Sequence, residues 1–171
     1  MSKEKELLSQ SLMDKIEENS AILEKTINEI IEVYSNELDE YLVFVRGILR
    51  NDEQPPTDEE LDDFALNIST LIYFTSVGCE QMGIRDDLSR ASYKEAYNVA
   101  RSLLSGGTVA DKNMQAEIDA TAEHIVNIVY SKAYKILKAK VESAQEILAS
   151  VKKVIGRRMN EAEISRIQTN K

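Results

Sequence analysis

Tryptophan is absent from this chain of 171 residues, and cysteine and histidine occur once each, as Cys79 and His124. A single thiol can neither close an intrachain disulfide nor build a multi-thiolate metal site, so a reducing compartment is expected and Cys79 reads by default as a small buried apolar side chain. His124 lacks the companions of a zinc site, because Ala120 and Thr121 stand where a His-x-x-x-His or Glu-x-x-His pattern needs an imidazole or a carboxylate. No Gly-x-x-x-x-Gly-Lys-Ser/Thr or Gly-x-Gly-x-x-Gly occurs, so the Gly106-Gly107 pair reads as a turn and not as a phosphate cradle. No run of 18 apolar residues is present, and the opening MSKEKELLSQ has no apolar signal core. These absences predict a soluble, unexported, cytoplasmic protein with no membrane span, metal, cofactor or catalytic set. If the chain is phage-encoded, that compartment is the host cytoplasm.

Proline and glycine are scarce as well, at two and six residues, and aromatics make up only 6% of a chain that is 43% apolar and 30% charged. Long helices have this composition and sheets do not, so the expected fold is all-α: an elongated, coiled-coil-like helical bundle in one domain, 1–171, with two long helices and two shorter ones. Leu12, Ile16, Leu23, Ile27, Ile30, Tyr34, Leu38, Tyr41, Val45 and Ile48 recur at helical steps and predict a long N-terminal helix over 4–50. Pro55 and Pro56 stop it. Thr57 with Glu60 forms a capping box that opens the next segment, and the acidic cluster at 58–63 suits the positive end of a helix dipole. Two middle helices are expected over 57–104, with Gly83 as the C-terminal cap of the first.

After the Gly106-Gly107 turn, Thr108 and Asp111 offer a second capping pattern. Ile118, Ala122, Ile125, Val129, Ala133, Ile136, Val141, Ala144, Ile147, Val151, Val154 and Ile155 then sustain an apolar face along a long C-terminal helix over 109–160. At about 1.5 Å per residue such a rod approaches 70 Å, so helices laid side by side would leave apolar overhangs that a homo-oligomer could cover.

Charge is distributed very unevenly. Residues 130–171 hold ten Lys or Arg against four acids, about +6, while residues 1–129 carry about −15, giving the net −9. Such asymmetry points to an acidic partner for the basic end. Projection at about 100° per residue gathers Lys132, Lys135, Lys153 and Arg157 into a sector of about 60°, with Lys138 beside it, opposite the apolar stripe. Tyr130 and Tyr134 fall at its margin. Cations that neutralise phosphates beside rings that stack on bases suit single-stranded nucleic acid. Local chemistry competes with this reading: Lys152, Lys153, Arg157 and Arg158 favour the end of a helix dipole, and Lys138 can pair with Glu142. Lys140 and Arg158 project onto the apolar side, either to snorkel past the core or to meet another subunit's acids.

The stretch from Ala100 to Gly106, ARSLLSG, resembles a helix end of the UvsY family of tailed-phage recombination mediators. Ala110-Asp111-Lys112 is similar to the opening of that family's next helix, and KKVIGR at Lys152 to Arg157 to a Lys-x-Ile-x-x-Arg near its end. The order is kept over roughly residues 97–160, while Leu103 and Leu104 replace a tyrosine pair and Met159 an aromatic. The resemblance implies a small, helical, oligomeric, non-enzymatic accessory protein that binds single-stranded DNA and helps a RecA-like recombinase displace the single-strand-binding protein. Arg101 is the matched residue that it implies for DNA contact. Two alternatives suit the same residues: a helical structural or interaction protein, such as a virion component or adaptor, and, with weaker support from the acids at 58–63, an inhibitor that mimics DNA.

Overall fold

Apolar residues three and four apart wind into helices along most of the chain in the computed structural model, which describes residues 2–51 and 53–169, with side chains at Asp14 and over 17–168 apart from 52. Among the described residues there are four α-helices and no strand: α1 (Ser2–Leu49), α2 (Asp58–Leu103), α3 (Val109–Asp119) and α4 (Thr121–Thr169). The all-α expectation holds. The inventory differs, however, with three long helices and one short one in place of two and two.

The middle segment is a single helix, because α2 continues through Gly83. Glycine inside a helix costs about 1 kcal/mol relative to alanine. Packing offsets that cost here, since a Cβ on Gly83 would lie 3.2 Å from Tyr134 Cε2 and its absence lets the ring close on α2. The C-terminal segment is instead divided, at Ala120, with φ −95° and ψ 14°. The irregularity is slight: Ala120 N–H donates to the Ala116 carbonyl, His124 N–H donates to the Ala120 carbonyl, and the Thr121 hydroxyl donates to the Glu117 carbonyl. No glycine or proline marks the spot. α4 also passes Gly156 and continues to Thr169, with Arg157 and Glu161 paired one turn apart along it.

The caps form as their sequences dictate. Thr57 N–H donates to Glu60 Oε2 at 2.7 Å, and Glu60 N–H donates to Thr57 Oγ1 at 3.2 Å. Thr108 and Asp111 make the same reciprocal pair at the start of α3. Between α2 and α3, Gly106 and Gly107 adopt φ of 91° and 80°, a left-handed region that other residues enter at a cost.

Contacts divide the chain into two compact units, Met1–Val33 with Met82–Tyr134 and Tyr34–Gln81 with Lys135–Lys171. The second unit is a three-helix core: Leu38 and Val45 from α1, Leu61, Phe64, Ile68 and Ile72 from α2, and Val141, Ala144 and Val151 from α4. Gly78 matters most to this packing, because a Cβ there would meet Tyr34 Cγ at 2.8 Å. Two polar ties flank the core. Lys140 of α4 bridges Asp39 of α1, whose same carboxylate oxygen accepts the buried Ser35 hydroxyl at 2.9 Å. Arg158 donates to the Pro56 carbonyl at 2.7 Å and to Asp58 Oδ1 at 2.9 Å.

The first unit buries Ile27 and Ile31 of α1, Met82 of α2, Ala116 of α3, and Val129 and Ala133 of α4. Its distinguishing feature is a buried polar cluster. Asp86 accepts from Arg90 at 2.8 Å, and Asn127 of α4 donates to the Ser89 hydroxyl at 3.1 Å and to Asp86 at 3.4 Å. Polar groups out of water need such partners, so the cluster fixes the register of α4 on α2 within this unit. The predicted N-terminal stripe is buried or partly buried from Leu23 to Ile48, while Leu12 and Ile16 lie outside the described side chains. On the C-terminal segment the stripe runs through Val129, Ala133, Leu137, Val141 and Ala144, and Ile118, Ala122, Ile125 and Ile136 are exposed instead of buried.

Glycine substitutions should therefore separate by site. Gly78→Ala should destabilise by about 1–3 kcal/mol through the clash with Tyr34. Gly47→Ala and Gly156→Ala, with nothing within 4 Å of the added carbon, should stabilise by about 1 kcal/mol each. Thermal unfolding followed by circular dichroism checks the signs.

The caps make a pH prediction. Hydrogen bonds from Thr57, backbone first and then hydroxyl, hold Glu60 below its ordinary value of 4.5, and those from Thr108, hydroxyl first, hold Asp111 below 3.8. A depressed folded-state value means that the contribution is full above the unfolded value and is lost as pH falls through the folded one. Unfolding midpoints should thus drop on acidification, and Thr57→Ala or Thr108→Ala should lower the midpoint at neutral pH and flatten that dependence.

Candidate nucleic-acid interface

Any polyanion-binding face must present cations that no local carboxylate already neutralises, and α4 supplies most of the candidates. In the first unit Lys132 is exposed and makes no hydrogen bond or ion pair among the described residues. Arg101, in the last turn of α2, is likewise exposed and unpaired, with no bond joining it to the α4 candidates. In the second unit Lys135, Lys138 and Lys153 are exposed and unpaired among the described residues, and Lys152 joins them. Lys138 does not take the available Glu142 at i+4. Arg157 is the exception, its Nε 3.7 Å from Glu161 with both side chains largely in water, a pair of little energetic weight.

Tyr130 and Tyr134 are partly buried, as their place at the margin of the ridge predicts, and Tyr134 lies against Gly83, which narrows the ring surface it can offer a base. One expectation needs correction: the basic ridge is not continuous within the second unit. Glu142 and Glu146, both exposed, project onto the same face between Lys138 and Lys153. Those two lysines are about 22 Å apart along the helix, so the face resolves into a cluster around Lys135 and Lys138 and another around Lys152, Lys153 and Arg157.

Lys140 and Arg158 are the cations that projection placed on the apolar side. They neither snorkel nor await another subunit, being taken by Asp39 and by Asp58 with the Pro56 carbonyl. The cations that sequence reasoning set aside thus hold the fold, and those it selected point outward. The second cluster borders a shallow groove lined by Ser150, Lys153, Val154, Gly156, Arg157 and Asn160. Gly156 leaves open space there, so extended chain can approach the helix backbone.

Other chemistry-bearing residues are placed as follows. His124 lies edge-on to Tyr93, ring centroids 4.7 Å apart, in an open groove with Met114, Glu117, Ile118 and Thr121. Cys79 is buried, and desolvation, then the nearby Glu80 charge, push its thiol up, the reverse of an activated nucleophile. No group of three or more His, Cys, Asp or Glu side chains converges on a metal-sized site among the described residues. No described helix is long and apolar enough to cross a membrane. In the acidic stretch at 58–63, Glu60 is occupied by its cap and Asp58 by Arg158.

The Asp86, Ser89, Arg90 and Asn127 cluster was not foreseen from the sequence. Its only local sign is the Asp86–Arg90 spacing of one turn, and Asn127 lies 41 positions from Asp86. Compared with protein-family models, curated proteins and solved structures, the chain matches none.

Proposed function

We propose that this protein is a non-enzymatic accessory protein that binds single-stranded DNA through the outward face of α4. One observation carries the reading: in a chain of net charge −9, Lys132, Lys135, Lys138, Lys152 and Lys153 stand exposed along one helix with no carboxylate partner among the described residues. Leaving these ammonium groups unpaired amid thirty acids suits an anionic ligand that brings its own charge. Because the tyrosines are half-buried, phosphate contacts dominate and stacking adds little, so binding is tolerant of sequence. Several subunits that each supply two short cationic clusters would hold a strand multivalently.

The resemblance of residues 97–160 to recombination mediators supports a role in loading a RecA-like recombinase while the single-strand-binding protein is displaced, in the host cytoplasm if the chain is phage-encoded. Arg101, exposed at the end of α2, is the contact that this resemblance adds. The acidic remainder then serves proteins, since a basic recombinase surface would find carboxylates along α1 and the start of α2. The structural or interaction alternative draws support from exposed apolar side chains on α2. The DNA-mimic alternative draws less, with Asp58 and Glu60 already engaged.

Fluorescence anisotropy of a labelled single-stranded oligonucleotide against salt tests the reading. About five phosphate contacts predict a log–log slope near −3.5. Replacing Lys132, Lys135 and Lys138 together by Glu, or Lys152 and Lys153 by Glu, should each weaken binding at least about tenfold, the two sets together should abolish it, and Tyr134→Ala should change it little. Absence of binding, affinity indifferent to salt, or full affinity after both reversals would overturn it.

A further inference from the structure

Residues 64–79 of α2 contain no Asp, Glu, Lys or Arg, in a chain of which 30% is charged. Half of that neutrality is accounted for by the core of the second unit, into which Phe64, Ile68, Ile72 and Cys79 turn. The opposite side faces water and should carry the charges of a solvated helix. It carries Leu66, Tyr73 and Phe74, each about two-thirds exposed, and Val77, 45% exposed, with exposed Thr70 between them. Tyr73 and Phe74 meet edge-on at 5.5 Å, so the aromatic pair is already arranged on the surface.

We propose that a second copy of this chain docks on this seam, α2 against α2, antiparallel across a two-fold axis between Thr70 and Tyr73. Three observations select that occupant. Positions 66, 70, 73 and 77 step by four, three and four, a heptad seam that reads the same from either end; the axis therefore sets Leu66 opposite Val77 and Thr70 opposite Tyr73. Charge restricts where two copies can meet: residues 1–129 carry about −15, so most approaches oppose carboxylates, whereas the seam from 66 to 77 has none and like charges meet only at its ends, Asp63 opposite Glu80. A cationic partner would gain nothing from a neutral seam with carboxylates elsewhere. The area suffices as well. Two aromatic side chains of roughly 200 Å² each, two-thirds exposed, with Leu66 and Val77, offer about 500 Å² per copy and about 1,000 Å² in the pair, the lower edge of specific interfaces.

The inference stands apart from nucleic-acid binding and needs no ligand. Sedimentation velocity of the full chain alone, from about 1 to about 100 µM, should show mass rising from 19.3 kDa to twice that value. Tyr73→Glu should hold the protein at the lower mass with unchanged far-ultraviolet dichroism, since the side chain faces solvent in the free chain. A mixture of Leu66→Cys and Val77→Cys proteins, the two positions that the axis sets opposite each other, should give a cross-linked dimer on mild oxidation, the native Cys79 thiol being buried. A mass of 19.3 kDa at every concentration, an assembly that Tyr73→Glu leaves intact, or no cross-link between positions 66 and 77 would each overturn it. Should Tyr73→Glu lose helicity, the cross-link between positions 66 and 77 decides alone.

Discussion

Burial of one apolar stripe from each of three helices is the interaction on which the second unit rests. Helices approaching fifty residues draw most of their stability in a folded protein from the face they bury and little from propensity. Leu38 and Val45, Leu61 to Ile72, and Val141 to Val151 supply those faces, and the polar ties at Lys140–Asp39 and Arg158–Asp58 sit at the margin. The ties set register more than they add energy, because their members are partly in water. In the first unit the buried Asp86 cluster serves that purpose at the α2–α4 contact.

Charge and packing thereby divide the cations of α4 between two roles. Lys140 and Arg158 are consumed by the fold, while the lysines on the far side make no ion pair among the described residues. On the proposed reading, a polyanion is repelled by the acidic majority of the sequence and attracted by those lysines and by Arg101. The same imbalance would orient the ligand before contact.

How much of this was legible in the sequence follows from the range of the interactions involved. The capping boxes at Thr57 and Thr108 were readable because donor and acceptor lie three residues apart. The proline stop and the glycine turn were readable for the same reason. Gly83 was misread as a cap, since what permits a glycine there is a tyrosine 51 positions away in sequence. The division at Ala120 has no local marker, and Ile118, Ala122 and Ile125 around it lie outside the core. Projection placed the lysines outward correctly, but it was applied to the cations and not to Glu142 and Glu146 on the same side, so one ridge was expected where two clusters stand. The partners of Lys140 and Arg158 lie about a hundred residues upstream, beyond any periodicity argument.

Beyond Arg158, α4 enters a different regime. Every side chain from 159 to 168 is exposed, Met159, Ile164 and Ile167 among them, so these turns gain little from burial. Amide protons here exchange by fraying at almost no free-energy cost, whereas those near Val141 and Val151 wait for the core to open. A single unbroken helix therefore carries a gradient of protection from hydrogen exchange and proteases, falling away past Arg158 and its bond to the Pro56 carbonyl.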